Sequence, residues 1–229
     1  MLVFAHRGFP SKTRTENTLE AFHEAVSHGV DGIEFDIRLS KDEEPVVVHD
    51  AVLNRVAGDS RRVAELTSTE LGAIVLRDGG HIATLNEVTA HIFAPTQLDI
   101  EVKTVDVLPA LIRKLKTSAH LRERTIVSSF KSSVIARVQE ELPDVRTLLL
   151  ISRWPLPLRL KPFFHALNEL KPWGVGLRLF LCTSRRVRLL QRHGFVVAGW
   201  DERGMAREAR NAKKLGVDIA ILKNPPLFL

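Results

Sequence analysis

Residues 32–50 read GIEFDIRLSKDEEPVVVHD, and the fold turns on how that stretch is parsed. Two apolar runs, GIEFDIRL and PVVVHD, are separated only by the loop SKDEE at 40–44. So short a connection cannot join parallel strands, which need a crossover of a dozen residues or more. The stretch therefore predicts a hairpin over about 33–49, its second arm returning to where the first one ends. On the first arm Glu34 and Asp36 are two residues apart and share a face. The second arm closes on His49 and Asp50, so the turn carries an imidazole back toward two carboxylates.

Moving outward, LVFAHRG ends on His6 and Arg7, and QLDIEVK ends on Glu101 and Lys103. Each segment opens as a buried strand and closes on groups that are costly to desolvate without partners. Four such endings in the first half of the chain imply a shared mouth where the charges meet. Around them, short apolar runs alternate with amphipathic stretches. Strands are expected at about 2–6, 32–38, 97–103, 125–129, 146–151, 174–179, 195–200 and 218–222. Helices are expected near 16–28, 84–94, 106–118, 131–141, 158–170, 183–193 and 204–215. Thr15 is placed to cap the first helix, and Ser132 opens a later one. Runs such as LLLI and FVVAGW suit strands with helices over one face and a core against the other. Eight strands with intervening helices predict an α/β fold of the (β/α)8 TIM-barrel type. The competitor, a doubly wound open sheet, carries a glycine-rich turn after its first strand, where HRGFP offers one glycine.

Residues 51–83 are polar and weakly periodic, with a helical piece at TSTELGAIVL. They predict a small insertion after the second barrel strand and its hairpin, placed to act as a lid. No composition shift, repeat or low-complexity tract divides the chain, so 1–229 reads as one barrel domain.

A net charge of +6 favours an anionic partner. Nucleic acid is disfavoured, because only 6% of residues are aromatic, Tyr is absent and no binding motif is present. The single cysteine, Cys182, excludes an internal disulfide and a Cys-rich metal site. Met1 leads straight into a strand with no basic, apolar leader, and no apolar run is long enough to span a bilayer. A cytoplasmic protein without a transmembrane segment is expected.

If Glu34, Asp36 and Glu101 meet, their repulsion is severe without a cation. Three carboxylates and no Cys favour a hard ion, Mg²⁺ or Ca²⁺. The alternative is that Glu34 and Asp36 pair with Arg7 and Lys103 and hold the barrel end together. His6 and His49 suit general acid and base work, because a free imidazole titrates near neutral pH. Arg7 offers a planar fork and Lys103 a point charge, both suited to phosphate. Glu16 and Asn17 either cap the first helix or reach over the mouth toward substrate or His6.

In order and spacing, HRGFPSKTRTENTLEAF, GIEFDIRLSKDEEPVVVHDAVLNR, ELTSTEL, TLNEV, DIEVK and SSF closely resemble the glycerophosphodiester phosphodiesterase family, within the phosphatidylinositol phospholipase C-like phosphodiesterases. The resemblance covers nearly the whole chain and is densest up to Phe130. It implies a TIM barrel with a small insertion after the His-Asp motif and a divalent cation at Glu34, Asp36 and Glu101. It also implies His6 and His49 as the acid–base pair, Arg7 and Lys103 on the phosphate, and Glu16 and Asn17 in support. Trp200 then either lines the alcohol pocket or fills the core. The implied reaction splits a glycerophosphodiester, a small molecule, into an alcohol and glycerol 3-phosphate. A lysophospholipase D and a catalytically silent phosphodiester-binding barrel would keep the same residues. The chain departs from the family where Asp201, Glu202 and Arg203 replace a T-V-N run and where Lys223 and Asn224 stand in a T-D-x-P stretch.

Overall fold

The computed structural model describes residues 1–201, 206–223 and 225. Among them nine strands form: β1 (Leu2–His6), β2 (Gly32–Leu39), β3 (Pro45–Val47), β4 (Gln97–Val102), β5 (Thr125–Ser129), β6 (Arg146–Ile151), β7 (Gly174–Arg178), β8 (Val196–Asp201) and β9 (Ile219–Leu222). Eight of them close a parallel ring in the order β1, β2, β4, β5, β6, β7, β8, β9, with β9 returning to β1. The predicted barrel is therefore present. β3 lies outside the ring, antiparallel to β2.

Alternation along the strands divides two apolar layers. Phe4, Ile126, Leu148, Leu150, Ala198, Trp200, Ile219 and Ile221 form the cluster that plugs the ring. Gly32 belongs to this packing, because a Cβ there would sit 2.7 Å from the Phe4 ring. The opposite set from β2 and β4, including Ile33, Phe35, Ile37, Leu98, Ile100 and Val102, packs against the helices. The helix Leu108–Lys116 shows why: Leu108, Leu111, Ile112 and Leu115 are buried along one stripe at helical spacing. Each such large side chain contributes roughly 1.5–3 kcal/mol.

The hairpin positions the site. β1 stops at His6, opposite Glu34, while β2 runs on to Leu39. The edge left open beyond His6 is taken by β3, with Ile37 opposite Val47. His49 is thereby delivered over the end of β1. Residues 51–83 form short helices at Asn54–Ala57 and Ser68–Gly72 around an apolar cluster that includes Leu53, Val56, Val63, Leu66 and Leu71 against Val46 and Val48. The helix expected along TSTELGAIVL is only its first part.

One boundary differs at the site. The first helix spans Leu19–Ser27, and Thr18, not Thr15, caps it by accepting from Ala21 N. Asn17 adopts φ 61°, a left-handed conformation that excludes it from the helix. The last helix is Ala206–Leu215. No helix among the described residues is long and apolar enough to cross a membrane.

Candidate active site

The site begins in the turn after β1. Arg7 N donates to Glu34 O at 2.8 Å and to Glu34 Oε2 at 3.1 Å, and Arg7 itself sits at φ 56°. A non-glycine residue there costs about 1 kcal/mol or more and is held by its surroundings. Gly8 follows at φ 80°, where a Cβ would meet the Ala21 carbonyl oxygen at 2.8 Å. The glycine of H-R-G thus lets the first helix press against the turn that carries His6 and Arg7.

Glu34, Asp36 and Glu101 are all buried and each offers a ligand oxygen within 4.8 Å of the others. Arg7 Nε lies 3.1 Å from Asp36 Oδ2, and Lys103 Nζ lies 3.3 Å from Asp36 Oδ1 and 2.6 Å from Glu101 Oε1. The two cations therefore do hold the strand ends together, but at Asp36. Burial works to raise the Asp36 pKa, yet Arg7 and Lys103 hold it down to about 2. Glu34 has no Lys or Arg ion pair among the described residues, only the Arg7 amide and His6 Nε2 at 3.7 Å. Burial, with Asp36 and Glu101 beside it, pushes its carboxyl well above the usual range. Glu101 is pushed up to about 7 by burial and Asp36. Asp99, inside the ring on β4, also rises to about 7 because it is buried.

A divalent cation fits this donor set. The ligands are hard oxygens, and three carboxylates share two cations that both attend Asp36. Asp36 Oδ1 is buried and accepts no well-aligned hydrogen bond. Asn17 holds the cluster from the other side, its Nδ2 donating to Asp36 Oδ2 at 2.8 Å.

The imidazoles differ in setting. His6 is buried against Glu34 and Trp200, and burial together with Arg7 lowers its pKa to about 3. His49 is at the rim, its Nδ1 2.7 Å from Asp50 Oδ1. A neutral ring donating from Nδ1 keeps Nε2 as the basic nitrogen. Arg55, from the insertion, donates to Asp50 Oδ2 and to Glu16 Oε1, and Glu16 Oε1 also accepts from Arg7 Nη1 at 2.9 Å. Glu16 thus joins neither His6 nor a helix cap. It ties the first turn to the insertion.

These groups open on one cavity of about 190 Å³ that includes His6, Arg7, Glu34, His49, Glu101 and Lys103 on one side and Phe130, Arg178 and Trp200 on the other. Trp200 belongs to the barrel plug and also forms part of the cavity wall. Phe130 meets it edge-on at 6.1 Å and the Arg178 guanidinium lies 4.6 Å from its ring centre. Lys223 lines the adjoining hollow, and Asp201 is buried at the end of β8. Glu202, Arg203 and Asn224 fall outside the described residues.

Sequence reasoning gave no role to Asp50, Arg55, Asp99, Phe130 or Arg178. Asp99 was readable, because D-x-E in QLDIEV repeats on β4 the same-face spacing of E-x-D on β2.

Residues 6–226 match the model of the Glycerophosphoryl diester phosphodiesterase family. The chain belongs to this family. A glycerophosphodiester phosphodiesterase of Caldanaerobacter subterraneus subsp. tengcongensis is 34% identical over 225 residues, covering 87% of this chain and 91% of that protein. A crystal structure of the glycerophosphodiester phosphodiesterase from Thermotoga maritima superposes with a TM-score of 0.79 at 26% identity, over 97% of this chain and 94% of that one. A lysophospholipase D of Rattus norvegicus is 29% identical over 182 residues, or 73% of this chain and 57% of that protein. As a glycerophosphoryl diester phosphodiesterase the chain is a phosphoric diester hydrolase, and its acidic cluster is a place where a metal ion can bind.

Proposed function

We propose that the chain hydrolyses glycerophosphodiesters to an alcohol and glycerol 3-phosphate with Mg²⁺ or Ca²⁺ held by Glu34, Asp36 and Glu101. The same reading takes 1–229 as one barrel domain with 51–83 as its insertion. The observation that carries it is the cluster of three buried carboxylates, two of which, Glu34 and Glu101, line one cavity together with both imidazoles. A cation there, once bound, supplies positive charge to polarise a phosphoryl oxygen. Arg7 and Lys103 receive the remaining phosphate charge, the first with a fork and the second with a point charge. One imidazole takes the proton of the attacking oxygen, which belongs to water or to the glycerol 2-hydroxyl. The other returns a proton to the leaving alcohol. Asp50, bonded to His49 Nδ1, holds that ring in place and suits His49 to that second role. Asn17 and Glu16 hold Asp36 and Arg7 in place, and Trp200 with Phe130 gives the organic group an apolar wall.

The test is chelation with two readouts. EDTA abolishes hydrolysis of glycerophosphocholine and lowers the melting temperature, and added Mg²⁺ or Ca²⁺ restores both. An enzyme indifferent to EDTA in both measurements contradicts the metal assignment. A silent barrel would show the thermal response without turnover. The likeness to a lysophospholipase D and the apolar wall of Phe130, Leu150 and Trp200 support a second reading, with lysophospholipid as substrate. Comparing glycerophosphocholine with lysophosphatidylcholine separates the two.

A further inference from the structure

Beside the hydrolytic cluster the barrel mouth carries a second kind of surface. β4, β5, β6 and β7 are consecutive in the ring, and the segments leaving their carboxyl ends emerge on the face that holds the site. In those four exits stand Val105, Phe130, Leu156, Leu158 and Phe180, exposed at 46%, 44%, 71%, 96% and 64%. The other exposed large apolar side chains among the described residues, Met1, Val26, Val75 and Phe93, are scattered over the first strand's start, the first helix, the insertion and the segment before β4. A single exposed Leu needs no explanation, but five on four successive loops concentrate exposed apolar side chains on one arc of the mouth.

The charge of the arc narrows what covers it. In the exits of β5, β6 and β7, segments 130–131, 152–161 and 178–185 carry Lys131, Arg153, Arg159, Lys161, Arg178 and Arg185 and no Asp or Glu, whereas the β4 exit carries Lys103 and Asp106. None of these six cations makes an ion pair with a described residue. The apolar tips stand on an anchored loop. Trp154 packs on Phe163 at 5.7 Å and takes the Arg186 guanidinium at 5.1 Å, while Leu156 and Leu158 two and four residues on face outward. Separate apolar tips amid unpaired cations match a surface that offers hydrocarbon beneath an anionic layer. A folded protein partner would instead have to supply carboxylates at six dispersed points.

We propose that this arc docks the enzyme on an anionic lipid bilayer, with Leu156, Leu158 and Phe180 entering the interface and the cavity opening beside it. The proposal stands apart from the hydrolytic reading, because its measurement is binding. Full-length protein should float with vesicles of phosphatidylcholine mixed with phosphatidylglycerol and much less with phosphatidylcholine alone. Salt should weaken that binding. Leu158→Asp combined with Phe180→Asp should lower the vesicle partition about tenfold or more. Hydrolysis of soluble glycerophosphocholine and the melting temperature should stay at wild-type levels, which shows that the double variant folds. The proposal is overturned if both vesicle types bind alike, or if the double variant binds as wild type does. It is also overturned if lipid-free protein is a dimer that Leu158→Asp turns into monomers, since the arc then belongs to a second copy.

Discussion

On the β1–β2–β4 side of the mouth Arg7, Arg55 and Lys103 each have a carboxylate within 3.1 Å, whereas on the β5–β6–β7 side six cations have no ion pair among the described residues. On the first arc Arg7 and Lys103 are mostly buried and must be neutralised where they stand, and half-exposed Arg55 is paired as well. The second arc leaves its charges in water, where they cost little and stay available to something outside the molecule. One ring thus carries a preorganised reaction centre and an uncommitted contact surface, and burial separates them.

The strongest way to break the comparison is to remove an imidazole. His49→Ala and His6→Ala should each lower kcat on glycerophosphocholine by about 10²–10⁴-fold. Arg153→Ala combined with Arg159→Ala should leave that rate within about twofold, as exposed charges remote from the reacting atoms do. Comparable losses in both would erase the distinction.

Stability should divide the same way. Asp36→Ala strands Arg7 and Lys103 beside an emptied buried site and should cost about 3–5 kcal/mol in urea unfolding. Arg178→Ala removes a half-solvated guanidinium from the Trp200 face and should cost no more than about 1 kcal/mol.

The pH response sharpens the contrast further. Burial raises the folded pKa of Glu34, Asp99 and Glu101, so these groups favour the fold when protonated and weaken it once charged. His6 acts oppositely: depressed from 6.5 to about 3, it favours the fold in its neutral form, and that contribution becomes complete above 6.5. From pH 6.5 upward through 7 the three carboxylates are still losing their contribution, while most of that from His6 is in place. The melting temperature of the EDTA-treated protein should therefore fall across that window, and saturating Mg²⁺ or Ca²⁺ should cancel the fall. A flat profile without metal would mean that the carboxylates are not strained by burial.

The smallest effect concerns the link between insertion and site. Arg55→Ala should lower kcat about three- to tenfold by loosening Asp50 and Glu16, with under about 1 kcal/mol lost from stability because the pair is half exposed. An unchanged kcat would leave the insertion without influence on His49.

Much of this was readable before any coordinates. The five-residue SKDEE loop could only be a hairpin, and the hairpin already returned His49 to Glu34 and Asp36. Less readable was the start of the first helix. ENTLEAFHEAV has helical periodicity throughout, but Asn17 is pulled out of it to reach Asp36, nineteen residues away in sequence. The bond from Arg55 to Glu16 spans thirty-nine residues and no local pattern announces it.

What the sequence by itself determined is the alternation of strand and helix, the hairpin and the set of polar residues at the strand ends, because period, loop length and desolvation cost act over a few neighbouring residues. What only the tertiary structure decided is which charge meets which. Ring closure placed Arg7 and Lys103 on Asp36, left Glu34 without a Lys or Arg ion pair among the described residues, and ranged Leu156, Leu158 and Phe180 along one open arc. Those outcomes depend on distances between strands far apart in the chain, and such distances exist only once the barrel has closed.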